Sequence, residues 1–485
     1  MCRAGNIQEA YDLAKSDMEK MPMSILAQKA VGWALYYMIK SDAESGNYEL
    51  LLNHIDELNS LDLLTIQDDS MIYDNVLFQV GNFLKKFVPP ADFGTPAKLS
   101  TIFQKLRDYT FNPGKGYSYL LSCYIKNENW QELLVFLDWW NLNNLTQNDY
   151  TPFVTKDGQK LMTLAERAFI ANSKALLKHN DAGRIEEFLP MMDTLMAQHE
   201  EMVYIGYFYG KLLLALGSDP DEALRVLIPF ARRKASEFWV WQLLSDVFTN
   251  DEEKQLACLL RAVHCRTQES FLGKVRIKLA TLYVKRRQFN YARYHIDAVT
   301  HCYASQGRRL PNEIDNWMHQ PWLNTTNPDG NDPIDYTTIT NDILCHGAEE
   351  CIAVVTYIDQ NTRRSSIIYG YEKRIVLRLH FRVHVGDILK LHYVKDRENR
   401  MTVLCSAKVQ LPTDLNYAKY VEGVIDKRNE KEFAFLKTGS ARCFVSPAIV
   451  KSHDLKNGDK VKSLIVYDYD RKKNSWGWAS VNINK

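Results

Sequence analysis

The sequence predicts a multidomain α-then-β protein: a solenoid of helix pairs over residues 1–302, then two small five-stranded β-barrels. Three observations carry this. Apolar residues recur at helical spacing from Met1 to about Cys302 and switch to period two after Glu350. Ala223, Ala257 and Ala292 stand 34 and 35 residues apart. In the tail, landmarks return 72 residues on: Gly386-Asp387 as Gly458-Asp459, Leu389 as Val461, Ala407 as Ala479 and Val409 as Val481.

Composition sets the outer bounds. A chain of 485 residues, 46% hydrophobic and 25% charged, holds two to four globular domains. Its net charge of +1 conceals a division: residues 351–485 carry 25 Lys+Arg against 14 Asp+Glu, so the preceding residues are acidic. A basic module of this size suits a polyanion, and equally a solvated surface that keeps the tail soluble. The opening residues lack the apolar run of a secretory signal, and no stretch approaches the ~18 apolar residues of a membrane span. Ala30–Ile39 comes nearest and reads as a buried helix. The expectation is a cytoplasmic protein without a membrane partner. Nine scattered cysteines, with no Cys-x-x-Cys pair, read as reduced thiols rather than as a disulfide framework or zinc ribbon. The Cys–His neighbours His264-Cys265, His301-Cys302 and Cys345-His346 would each need a second half from a distant turn.

In the helical region one local pattern returns, a turn residue followed by a hydrophobe and acidic or amide residues. It appears as Asn6-Ile7-Gln8-Glu9-Ala10, Asn47-Tyr48-Glu49-Leu50-Leu51, Asn129-Trp130-Gln131-Glu132-Leu133 and Arg184-Ile185-Glu186-Glu187-Phe188. Acids there favour the first turn of a helix. Further on, Trp241-x-x-Leu244-Ser245-x-x-Phe248 precedes Ala257, and Leu279-Ala280-x-x-Tyr283 precedes Ala292. These windows resemble the tetratricopeptide repeat, in which small residues let two helices cross closely. Tyr207/Leu214/Ala223 fits less well, with Gly210 at the Leu position. The resemblance implies a concave surface for a protein or peptide partner; a stack that merely spaces the tail is the plainer reading.

Residues 303–347 form a connector. Four prolines and six asparagines, with the turn signal Asn327-Pro328-Asp329-Gly330, interrupt regular helix. Trp317 and Trp322 predict a strap packed on the last repeat rather than a free linker.

Two barrels are expected at residues 348–411 and 416–485. The first has strands Ile352–Ile358, Ser365–Tyr369, Arg374–Leu379, Ile388–Val394 and Thr402–Val409. The second has Val421–Asp426, Glu432–Leu436, Ala441–Val445, Lys460–Tyr467 and Trp476–Ile483. Five short strands with a Gly-Asp turn before the fourth suggest the OB-fold. The second copy, with Gly423-Val424-Ile425, Lys431-Glu432-Phe433-Ala434-Phe435-Leu436, Cys443-Phe444-Val445-Ser446, Gly458-Asp459-Lys460-Val461 and Ala479-Ser480-Val481, resembles a cold-shock domain. It departs from that family at Glu432 and Ala434, where glycines are usual, and at Ser446, where a stacking histidine is usual.

On a strand Phe433 and Phe435 share one face, and Ala434 and Leu436 the other. With Ala434 and Leu436 inside, the phenyl rings lie outside beside Phe444 and can stack unpaired bases. The inverted register would bury both rings. Lys431, Lys437 and Arg442 flank these strands, and Arg471, Lys472 and Lys473 precede Trp476-Gly477-Trp478. Basic residues interleaved with aromatics suit a groove that tracks a single strand. The candidate nucleic-acid-binding residues are therefore Lys431, Phe433, Phe435, Lys437, Arg442, Phe444, Arg471, Lys472, Lys473 and Trp476. The first copy offers Ile367 and Tyr369 in place of the Phe-x-Phe strand, and keeps Arg363-Arg364, Lys373-Arg374, Arg378 and Arg382. It adds phosphate contacts or packs against its twin. His380-x-x-x-His384 with His392 has helical metal spacing on strand-like sequence, so no metal and no cofactor is expected.

A helical-repeat front followed by two such barrels resembles the repeat proteins with cold-shock-like domains of bacterial TOTE conflict systems. That resemblance implies a part in holding RNA or single-stranded DNA during defence against invaders. No catalytic constellation is present: Pro113-Gly114-Lys115-Gly116 lacks phosphate-loop spacing, and no metalloprotease or nucleophile motif occurs. The reading is a non-catalytic binder of single-stranded nucleic acid, RNA preferred, whose repeats recruit a protein. The alternative is a scaffold in which repeats and barrels both bind proteins.

Overall fold

The computed structural model describes residues 5–484 except 63, 66, 91, 109, 110, 380, 381, 397, 440, 471 and 472. The chain divides into two compact units: residues 1–235 with 246–249, and residues 236–245 with 250–485. This division falls inside the helical region, so the later helices belong with the sheets and not with the earlier helices.

The first unit is helical throughout its regular structure. The apolar run near Ala30 lies in the helix Ile25–Ser45, with Val31, Leu35 and Ile39 fully buried. Asn6 and Asn47 stand immediately before the helices Ile7–Lys20 and Tyr48–Asn59, with Glu9 and Glu49 in their first turns. The other two copies of the pattern are offset. Asn129 precedes a helix that begins only at Leu133, and Arg184 is already inside the helix Ala182–Gln198. Gly210, on the helix Val203–Leu216, faces Leu227 of the partner helix Pro220–Arg233. A Cβ there would collide with Leu227, so glycine replaces the expected leucine to admit that side chain.

In the second unit, Ala257, Leu279, Ala280 and Ala292 are fully buried, as are Trp241 and Ser245. Helices Gly273–Lys285 and Phe289–Ser305 carry the last helix pair. The connector forms three short helices: Asn312–Met318 and Pro321–Thr325 pack upon that pair, and Tyr336–Leu344 lies against the preceding helix Glu252–Val263. Ile314 and Leu323 are buried against Ala280, Ile296 and Val299, with Trp317 and Trp322 at the edge of that cluster. The prolines set helix starts rather than abolishing helix: Pro311 precedes the first, and Pro321 opens the second.

Ten strands follow: β1 (Glu349–Ile358), β2 (Ser365–Gly370), β3 (Lys373–Leu377), β4 (Ile388–Lys395), β5 (Met401–Lys408), β6 (Ala418–Asp426), β7 (Ala434–Lys437), β8 (Arg442–Val445), β9 (Lys460–Asp470) and β10 (Ser475–Asn484). The first five form a sheet in the order β3-β2-β1-β4-β5, and the second five close into a barrel in the order β10-β8-β7-β6-β9. The two orders correspond strand for strand. They differ in closure: β10 pairs with β8 in parallel at Ala479 and Phe444, whereas the described residues of the first copy form a five-stranded sheet without the corresponding β5–β3 pairing.

The duplication reaches single hydrogen bonds. Gly386 and Gly458 have φ of 92° and 91°, a conformation open to glycine. The amide of Gly386 donates to Val355 O and that of Gly458 to Ile425 O, both at 2.8 Å. The carboxylates of Asp387 and Asp459 accept from His384 N and Lys456 N.

Each face of the first sheet carries an apolar cluster. One holds Ala353, Val355, Ile367, Leu389 and Leu391. The other places Val354, Ile368 and Ile388 in a cluster with Tyr417, Ala418, Leu464, Val466 and Val481 of the second copy. Tyr371 stacks on Tyr467 with ring centroids 4.6 Å apart, and Arg374 lies 3.5 Å from Asp468. The first copy thus packs against its twin. Among the described residues no helix is long and apolar enough to cross a membrane.

Candidate nucleic-acid interface

The barrel interior contains Ile425, Ala434, Leu436, Cys443, Val445, Val461, Ile465 and Ile483. Ala434 and Leu436 therefore point inward. Phe435, the residue between them, and Phe444, between Cys443 and Val445, must point outward, because side chains alternate along a strand. Both are half-buried, as is Phe433 just before β7. The inverted register is excluded. The closed barrel explains the choice: its interior admits Ala and Leu on β7, whereas two phenyl rings on so short a strand would overfill it.

Strand register arranges these groups in a row. Asp426 on β6 pairs with Phe435 on β7, Phe435 with Phe444 on β8, and Phe444 with Ala479 on β10. The three rings form one cluster, with centroids 5.7 Å apart for Phe433–Phe444, 5.8 Å for Phe433–Phe435 and 6.2 Å for Phe435–Phe444. Small residues clear the ground beyond it: Ala479 ends the row, and a Cβ on Gly477 would meet nothing within 4 Å.

The cationic border is close and partly committed. The Arg442 guanidinium lies over the Phe435 ring, 4.0 Å from its centroid, and Lys473 Nζ lies 6.0 Å from the same centroid. Lys437 and Arg442 both reach Asp426, at 3.0 and 3.2 Å. The bond from Lys437, with Arg442 nearby, holds the Asp426 carboxyl below its usual range. Lys473 also lies 3.9 Å from Asp470. Lys431 and Glu432 are exposed on the approach to β7.

Two expected site residues, Arg471 and Lys472, lie outside the described residues, as does His380. Trp476 is not part of the phenyl row. It has the opposite parity to Ala479 on β10 and packs beside Tyr467 and Tyr469 at the seam with the first sheet. Arg374 of the first copy is likewise occupied, donating to Ser366 Oγ at 2.7 Å and pairing with Asp468. The sequence reading missed Asp426 and Gly477. Only the β6–β7 register brings Asp426 to the rings. Gly477 could have been noticed as the one residue without a side chain between two tryptophans.

In the first unit, the Gly114-Lys115-Gly116 turn opens the helix Lys115–Tyr124, and the Gly116 amide donates to Asp74 Oδ1 at 2.9 Å. A carboxylate of the chain itself therefore occupies that helix start.

A closed five-stranded barrel with outward phenyl rings under a guanidinium, preceded by packed helix pairs, defines a helical protein with a cold-shock-type barrel. Comparison with known families agrees over that barrel. Residues 419–483 match the S1/CSD-like domain 2 of the TOTE conflict systems, and residues 203–342 match a domain of unknown function, DUF7017. No curated protein matches the chain. The second barrel is therefore similar to an S1/cold-shock-like domain, with a link to conflict systems.

Proposed function

We propose that the protein is a non-catalytic binder of single-stranded nucleic acid, RNA preferred, that acts within a conflict system while its helices recruit a protein partner. The observation that carries this reading is the row Phe435–Phe444 with Phe433 beside it, outward on the barrel and overlain by Arg442. Unpaired bases stack on such rings with about 1–3 kcal/mol each and little regard for sequence. Arg442, Lys437 and Lys473 supply contacts for the phosphates between stacked bases. Duplex does not fit, because its bases present no free face. The similarity of residues 419–483 to a domain of TOTE conflict systems supports the setting.

The test is a fluorescence anisotropy titration of the full chain against labelled single-stranded RNA, single-stranded DNA and duplex at two salt concentrations. Binding should favour the single strands, RNA first, and weaken steeply with salt. Equal affinity for duplex, or affinity indifferent to salt, would contradict the proposal.

A further inference from the structure

On the first sheet a second row of side chains crosses β1, β4 and β5. Glu350 pairs in register with His392, and His392 with Cys405. Such cross-strand partners share a face, with Cβ atoms about 4.5–5.5 Å apart. The connector helix Tyr336–Leu344 ends at Cys345 and delivers that thiol to the same place. One donor atom from each of Cys345, His392 and Cys405 lies within 4.8 Å of the other two. Glu350 Oε1 stands 3.3 Å from His392 Nδ1. Glu350 also pairs with Lys390 at 2.8 Å; a carboxylate beside one imidazole nitrogen is a usual support of a metal-bound histidine.

We propose that Cys345, Cys405 and His392 bind a thiophilic divalent cation of the Zn²⁺ class, fastening the connector helix to the first sheet. Two thiolates and an imidazole are a donor set that suits zinc over magnesium or calcium. The fourth position goes to water. Both thiols give up their protons on loading, so each cation bound releases two protons to solvent. The scattered spacing of the nine cysteines predicts reduced thiols without partners; the structure instead brings the Cys345 and Cys405 sulfurs into bonding contact. A disulfide is the competing explanation of that contact. The two Cα atoms are 7.0 Å apart, outside the usual span of about 4.4–6.8 Å for a disulfide. A disulfide also leaves the imidazole beside the two sulfurs unexplained.

The full chain, purified in reductant without chelator, should retain one zinc per chain after gel filtration, counted by plasma mass spectrometry. Cys405→Ser and His392→Ala should each remove most of it, while Cys351→Ser, on neighbouring β1, should keep it. Cobalt-exchanged protein should show thiolate-to-metal charge-transfer absorption that Cys345→Ser abolishes. A chain without metal overturns the proposal. So does non-reducing peptide mapping that recovers Cys345 joined to Cys405 from protein made in a reducing cytoplasm. If the variants fail to fold, the metal count and cobalt spectrum of the unaltered chain still decide.

Discussion

The guanidinium of Arg442 stands 4.0 Å from the ring centroid of Phe435 while its Nη2 stays 3.2 Å from Asp426. One side chain thus touches the aromatic platform and the carboxylate that restrains the local charge. In this arrangement the rings and the cations form a single surface.

Replacing Phe433, Phe435 and Phe444 together by alanine should weaken single-strand binding by several kcal/mol, at about 1–3 kcal/mol per stacked base. The barrel should remain folded, because its interior is built from the alternate residues. Circular dichroism melts alongside anisotropy titrations separate the two effects.

Leu436→Ala should do the reverse. Leu436 is fully buried, and truncating such a residue costs about 2–5 kcal/mol. A lower urea midpoint with near-normal affinity below the transition is the expected outcome.

Asp426→Asn should tighten binding. Lys437 and Arg442 now share that carboxylate, and its removal frees one positive charge for phosphate. The plot of log affinity against log salt should steepen by about 0.7, the increment for one more phosphate contact on a single strand.

These tests bear on how much the sequence could disclose. The period-two pattern and the repeat of Gly386-Asp387 at Gly458-Asp459 were legible because turn glycines and alternation are local. Local patterns also placed Phe433, Phe435 and Phe444, with only the register left to decide. The closure of the second copy was not legible, since it depends on a pairing between non-neighbouring strands, Phe444 with Ala479. The packing of Trp476 at the seam was hidden for the same kind of reason. Its partners Tyr467 and Tyr469 are near in sequence, but the sheet that covers them begins more than a hundred residues earlier. The meeting of Cys345 with Cys405 and His392 is equally non-local.

His295 supplies a pH prediction for the last helix pair. Burial, with Arg276 adding, pushes its pKa down to about 3, and its Nδ1 accepts from the Arg276 guanidinium at 3.0 Å. The native state therefore keeps it neutral while the unfolded chain takes up a proton near the ordinary value of about 6.5. Stability from this group is complete above that ordinary value and falls as pH drops from there toward 3. His295→Gln should flatten this part of the profile, as read by thermal melts across the range.

The most direct test is ultraviolet cross-linking of the full chain to a labelled oligouridine, with the joined peptides located by mass spectrometry. Cross-links should fall on the segments that carry Phe433, Phe435 and Phe444 and disappear in competition with unlabelled single strands. Specific binding whose cross-links map only to other segments would contradict the claim that these rings receive the bases.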